Sequence, residues 1–259
     1  MKKVILLFTI AGTILFTSCS KDDDNSSTPD VLLKRTVQTD EEGVLTSDAS
    51  YDGNKLISVL GVRGSERLEL RHTYTGDLIT KRELLTNSVL TLTDIYEYNA
   101  NNQLIVKKTT TIFNPAIVFR SEYVHNSNNT ISVRNLIGDA TSQTELVSTG
   151  TITFTNGEVS RIEEVSIGSP DKFYTYTYDT KNHPGKNVTG INKIAFASED
   201  DPSIARNLVE MVEGEVGSPS DNITTTIQYT YNSNDYPATS TETVSDGDIP
   251  TTSRTVYSY

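Results

Sequence analysis

The chain has one cysteine, no tryptophan and three histidines. A single cysteine excludes an intramolecular disulfide and any metal site built on several thiolates. His72, His125 and His183 lie far apart and show none of the paired spacings that place two imidazoles on one metal. Basic side chains are also scarce, 22 Lys and Arg against 34 Asp and Glu, for a formal charge of −12. With no polybasic run, such a surface repels nucleic acid and anionic headgroups, so no nucleic-acid partner is expected. The sequence has no G-x-S-x-G elbow, no phosphate-binding loop and no dinucleotide fingerprint. It points to no catalytic residue, no metal ligand set and no cofactor. Asp22-Asp23-Asp24 and Asp246-Gly247-Asp248 lack the alternating ligand spacing of a calcium loop and read as solvated turns. Glu163 and Glu164 are adjacent and so point to opposite faces of a strand, not toward each other as a glycosidase pair must.

What is present begins with a leader. Met1-Lys2-Lys3 is a short cationic start, and Val4 to Phe16 is an apolar run of 13 residues broken only by two threonines. A helix needs roughly 20 apolar residues to cross a bilayer core, so the run reads as a cleaved secretory signal over residues 1–18. Leu15-Phe16-Thr17-Ser18-Cys19 resembles the lipobox of bacterial lipoproteins, with Phe16 where that motif usually has Leu. The resemblance implies that Cys19 is lipidated and becomes the new N-terminus, which makes the membrane a partner through lipid. Two or more acyl chains anchor stably where one is marginal. Ser20-Lys21-Asp22-Asp23-Asp24 follows, similar to the export signal of Bacteroidetes lipoproteins, which implies an outer-membrane protein facing the cell exterior; the periplasmic face is the alternative. Residues 19–30 then form the lipidated Cys and a flexible acidic tether. Without residues 1–18 the chain carries 20 basic and 34 acidic side chains, a formal −14.

Residues 31–259 read as one repeat-built β domain. Tyr is frequent and Thr abundant, and both suit a pleated, half-buried surface. Each unit is an alternating strand ending in an aromatic, a turn rich in Asn, Asp and Gly, and a short apolar strand. Examples are Tyr51, Asp52-Gly53-Asn54, Leu56-Ile57; Tyr74, Thr75-Gly76-Asp77, Leu78-Ile79; and Tyr98, Asn99 to Asn102, Leu104-Ile105. The last aromatics fall at Tyr51, Tyr74, Tyr98, Tyr123, Phe154, Tyr178, Tyr231 and Tyr259, a typical step of about 24 residues. Two strands and two turns fill that step, so the expected product is a long curved antiparallel meander of tandem hairpins. The pattern does not set whether the sheet closes.

Tyr51-Asp52-Gly53-Asn54-Lys55-Leu56-Ile57, Tyr178-Asp179-Thr180-Lys181-Asn182-His183-Pro184 and Tyr229 to Pro237 resemble the YD repeats of RHS-type proteins, and more closely Bacteroidetes lipoproteins of unknown function built from such units. The resemblance covers residue 45 to the C-terminus and implies an all-β scaffold at the cell surface. It brings no catalytic residue.

One stretch interrupts the plan. Residues 200–214 read as a capped helix, centred on 201–213. Asp201 or Ser203 would cap it, Pro202 suits its first turn, and Ile204, Leu208, Met211 and Val212 share one helical face. Such a helix would pack on one face of the sheet or cover an edge. Tyr174, Tyr176 and Tyr178 alternate with Thr, and Tyr229 and Tyr231 repeat the pattern on a later strand. If exposed, this row is a candidate ligand face that stacks on sugars; if buried, it is core. The sequence thus supports a non-catalytic, membrane-anchored binding scaffold, its ligand a glycan or another envelope protein. The alternative is an extracytoplasmic hydrolase acting on a surface polymer through carboxylates that converge between strands.

Overall fold

The computed structural model describes residues 30–218, 222–247 and 249–259. The leader, Cys19, and Ser20, Lys21, Asp22, Asp23 and Asp24 lie outside the described residues, as does Asp248.

Among the described residues sixteen strands follow one another. They are β1 (Arg35–Asp40), β2 (Gly43–Asp52), β3 (Lys55–Arg63), β4 (Glu66–Thr75), β5 (Leu78–Thr86) and β6 (Val89–Tyr98). Next come β7 (Leu104–Thr111), β8 (Val118–His125), β9 (Thr130–Gly138), β10 (Gln143–Thr155), β11 (Glu158–Ser166) and β12 (Lys172–Asn182). The last are β13 (Arg206–Glu215), β14 (Ile223–Tyr231), β15 (Pro237–Ser245) and β16 (Thr251–Ser258). Each pairs antiparallel with the next, and β1 pairs with β16 from Arg35↔Ser258 to Thr39↔Arg254. The all-β expectation holds, but the meander is a closed barrel. The two edges that an open sheet would expose are each other's partners, which removes the edge hazard altogether.

Closure has a local cause in the repeat. In five hairpins and in the β12–β13 pair the register slips just before the unit's last aromatic, at Ser50/Tyr51, Thr73/Tyr74, Glu97/Tyr98, Thr153/Phe154, Thr177/Tyr178 and Thr230/Tyr231. The residues passed over are Ile57, Thr80, Ile105, Ser160, Val209 and Ala238. A bulge bends its strand and increases the local twist, and a sheet needs bends repeated around it to close. Between β10 and β11 the turn is Asn156-Gly157, with φ of 53° and 86°, the positive pair a two-residue hairpin demands.

The helix expected over 201–213 is absent; Arg206–Glu215 is strand β13. The bulge explains the misreading. Val209 is passed over, so Leu208 and Met211 face the same way although they are three apart. Leu56 and Val59 in β3, and Val159 and Ile162 in β11, show the same three-residue step, and all six side chains are buried. That spacing imitates a helical face. Asp201 does not cap a helix either: its Oδ1 accepts the backbone N–H of Ser203 at 3.0 Å in an irregular segment.

Residues 183–205, between β12 and β13, enter the barrel as a plug. It contains two short 3-10 turns, Ile191–Lys193 and Ala195–Ala197. Ile194 and Phe196 pack with Ile79, Tyr96, Leu104, Tyr123, Ile131, Ile152, Ile162, Tyr174, Leu208 and Met211 in one buried cluster. These residues come from nine consecutive strands, which fixes the apolar row of each as its inner face. The outer face carries cross-strand and same-strand ion pairs at mid-strand. Examples are Arg71–Glu69 at 2.7 Å, Lys81–Glu83 at 3.0 Å, Lys108–Glu97 at 2.7 Å, Arg134–Glu122 at 2.9 Å and Arg161–Glu163 at 2.9 Å. On β14 and β15 it carries the facing rows Thr224, Thr226, Gln228, Thr230 and Ser245, Thr243, Thr241, Thr239.

Candidate functional site

The lumen and its plugged end hold most of the molecule's unusual chemistry. Except in the fourth unit, the last aromatic of each repeat unit lands at one rim and points inward. There Tyr51 donates its hydroxyl hydrogen to the Leu33 carbonyl at 2.7 Å, and Tyr98 donates to the Ile79 carbonyl at 2.6 Å. In the fourth unit the register gives this position to His125, whose Nε2–H donates to the Leu104 carbonyl at 2.9 Å. Tyr123 sits two residues deeper, edge-on to Phe196 with ring centroids 5.4 Å apart. The sequence rule of one terminal aromatic per unit therefore missed the imidazole that stands in for a tyrosine.

The plug is tied to this rim by polar bonds. Thr189 N–H donates to the Asn54 carbonyl at 2.9 Å, and Tyr74 donates to the Thr189 carbonyl at 3.3 Å. Gly190, at φ 79°, lies so close that a Cβ there would stand 2.6 Å from the Asp77 carbonyl. Asn187 Nδ2 donates to the Val31 carbonyl at 3.1 Å and to the Tyr236 hydroxyl at 2.9 Å. Where the chain returns to the wall, the buried carboxylate of Glu158 accepts N–H groups from Ile204, Ala205 and Arg206 at 2.8, 2.9 and 3.0 Å. Residues 30–34 approach the same rim, with Lys34 N–H donating to the Ser258 carbonyl at 2.8 Å. The first described residues therefore lie at the plugged end.

Deeper in the wall is a buried charge network. Asp94, 1% exposed, accepts from Arg82 at 2.7 and 3.0 Å and from the Thr109 hydroxyl at 2.6 Å. Burial would raise its carboxyl, but Lys107, Arg82 and the Thr109 bond hold it below the usual carboxylate range. Burial pulls the Lys107 ammonium down against the attraction of Asp94. Glu199 of the plug is pushed up by burial and by Glu164 on β11. Alternation alone could not reveal this network, since Asp94 and Lys107 fill inner positions where apolar residues were expected.

The residues singled out from sequence divide as follows. Tyr174 and Tyr176 are inward and buried, and the Tyr176 hydroxyl donates to the Glu199 carbonyl at 2.7 Å. Tyr178 and Tyr231 are half-buried on the inner face, with Tyr231 donating to Asp179. The row is therefore wall and core, not an outer stacking surface; Tyr229 also lines a cavity. The histidines do not converge. His72 is buried beside Arg82, His125 serves the rim, and His183 Nε2 lies 3.6 Å from Asp201 in the plug. Glu163 faces outward to Arg161, while Glu164 faces inward and accepts from Ser148 and, at 3.4 Å, from Asn135 Nδ2.

The opposite rim differs in character. Its loops expose Phe113 (87%) and Ile249 (89%), with Ile112, Ile167 and Val216 beside them in sequence or on neighbouring connections. The rim thus presents apolar side chains that the sequence left inside turns.

Together these features define a closed, plugged sixteen-stranded antiparallel barrel with an aromatic interior. Among solved structures the chain is similar to a porin-like protein from Bacteroides uniformis ATCC 8492, with TM-score 0.52 and 12% identity over 89% of this chain and 99% of that one. A porin-like protein from Bacteroides vulgatus ATCC 8482 matches with TM-score 0.47 and 9% identity, over 89% and 99% of the two chains. At this identity the likeness is one of fold. No family model matches the sequence, and no curated protein matches it.

Proposed function

We propose that the protein is a non-catalytic, lipid-anchored scaffold of the outer membrane that binds another envelope protein at the rim away from its tether. One observation carries this reading: the charged middle of the outer wall. A barrel that crosses a membrane turns an apolar band about 25 Å tall toward lipid, and Arg or Lys at the bilayer midplane costs about 2–4 kcal/mol each. Arg71, Lys81, Lys108, Arg134 and Arg161 occupy the wall at that height, paired to carboxylates. Such a wall suits water. A barrel standing in water needs an attachment to stay at a membrane, and Cys19 supplies one through lipid. The Ser20 to Asp24 cluster would then direct it to the outer face.

The choice of partner follows from the two rims. The tyrosine rows face the lumen, which withdraws the motive for a glycan. Exposed Phe113 and Ile249 offer the apolar contacts from which protein interfaces draw most of their affinity. For the hydrolase alternative, Glu163 and Glu164 diverge, one outward to Arg161 and the other inward to Ser148.

The test is detergent phase partition of the full chain beside Cys19→Ala. The parent should enter the detergent phase and the variant the aqueous phase, both folded by circular dichroism. A Cys19→Ala chain that still partitions with detergent would mean that the barrel itself inserts. Protease treatment of intact cells, with a periplasmic protein as control, then reports which side the barrel faces.

A further inference from the structure

Part of the apolar surface at the rim opposite the plugged end is continuous. Val147, Val165, Ile167 and Val216 are 40, 56, 64 and 63% exposed. Backbone bonds tie them together: Ile167 N–H donates to the Val147 carbonyl at 2.9 Å, and Val216 N–H donates to the Asp171 carbonyl at 2.8 Å. Val165 stands opposite Thr149 in the β10–β11 register. The patch therefore runs from the start of β10, across the β11–β12 connection, to the end of β13. Lower on β11 the outer face changes character, with Arg161 and Glu163 paired at 2.9 Å. A contiguous exposed apolar patch on a soluble wall marks an interaction site.

The charge beside this patch has one sign. Residues 138–149, 164–171 and 213–218 contain no lysine or arginine. Asp139 and Glu145 are exposed there, and Asp171 and Glu215 are half-buried. Lys172 does not offset them on the outside: it stands opposite the inward-facing Glu164 and lies 3.8 Å from Glu213. A negative field repels an anionic surface, while a cationic one is drawn in and held in register. A second copy of this chain would bring the same carboxylates against these. The four apolar side chains are aliphatic, so they give a sugar no ring to stack on. We propose, building on the reading that this rim binds a protein, that the patch around Ile167 and Val216 receives a cationic and apolar segment of that partner. Its aliphatic side chains lie on the patch, and its Lys or Arg side chains face the carboxylates.

The test is fluorescence anisotropy of three labelled peptides of alternating sequence, Lys-Leu, Lys-Ser and Glu-Leu, titrated with the full chain. Saturable binding of one Lys-Leu peptide per chain is expected, with Lys-Ser and Glu-Leu at least tenfold weaker. Ile167→Ser combined with Val216→Ser should weaken Lys-Leu binding at least tenfold, and Asp139→Asn combined with Glu145→Gln severalfold. These side chains are at the surface, so both variants should fold. Val256→Ser, an exposed site on β16, is the control and should leave the affinity unchanged. Three results would each overturn the proposal: no saturable binding of the Lys-Leu peptide, equal binding of Lys-Ser, or affinities unchanged in both double variants folded by circular dichroism. Glu-Leu binding as tightly as Lys-Leu, and lost in the Ile167 and Val216 variant, would overturn the cationic class while leaving the rim a protein site. Sedimentation of the Cys19→Ala chain with phosphatidylcholine vesicles, abolished by the same variant, would give the patch to a lipid surface and overturn both readings.

Discussion

Glu158 on β11 holds the backbone of Ala205, 47 residues further along, by accepting its N–H at 2.9 Å. The same carboxylate takes the N–H groups on either side, from Ile204 and Arg206. Three consecutive donors at a point where the chain leaves the lumen and joins β13 would otherwise be orphaned in a buried place.

Glu158→Ala should therefore cost on the order of 3 kcal/mol, since each buried donor left without a partner costs about 1–3 kcal/mol before water enters. Glu158→Gln keeps one acceptor oxygen and should cost less. Urea unfolding followed by tyrosine fluorescence measures both, and equal stability of parent and Glu158→Ala would show that the plug is not pinned there.

Phe196 is the centre of the plugged end, edge-on to Tyr123, His125 and Phe154 at 5.4, 5.9 and 6.2 Å. Truncation to alanine should destabilise by about 3–5 kcal/mol, the range for a buried phenyl ring. A loss below about 1 kcal/mol would place the ring in a loose site instead.

Gly190→Ala faces two penalties. Its φ of 79° is left-handed, and a Cβ would stand 2.6 Å from the Asp77 carbonyl. The conformation alone costs roughly 1–2 kcal/mol, and the close contact adds to it. Gly53→Asn is the control, because its φ of 57° suits Asn and nothing lies within 4 Å. A change within about 0.5 kcal/mol is expected there. Similar losses at both glycines in thermal melts would remove the contact from the explanation.

His72 gives a pH signature. Burial, and then the charge of Arg82, holds its imidazole down to about 3, against roughly 6.5 in an unfolded chain. Between those values the unfolded chain binds a proton that the native one refuses. Its contribution is therefore complete above about 6.5 and is lost as pH falls toward 3. His72→Leu should flatten the fall in urea midpoint across that window relative to the parent. Parallel slopes would mean that His72 titrates normally in the folded barrel.

Much of this architecture was legible. Tyr-rich alternation and Asn/Asp/Gly turns named the strands because both signals are local. Closure was not legible, because it depends on bulges that alter the facing of residues only two or three apart. Leu208 and Met211 show the cost of that blindness: a three-residue step reads as a helix when it belongs to a bulged strand. His125 was missed as a rim residue because the aromatic rule excluded imidazole. The cavity that Glu242 and Tyr229 share was equally hidden, since it needs β14, β15 and a plug drawn from elsewhere in the chain. The lipobox-like stretch Leu15 to Cys19 is the reverse case: its reading rests on the sequence alone, and it lies outside the described residues.

The seam between β1 and β16 joins the first strand to be made with the last. Pairing of Arg35 with Ser258 must wait until nearly the whole chain has emerged, while the plug belongs to a segment completed well before. Residues 183–205 are therefore available to fill the lumen before the seam can shut. A truncation that removes β16 would leave β1 and β15 as two unpaired edges.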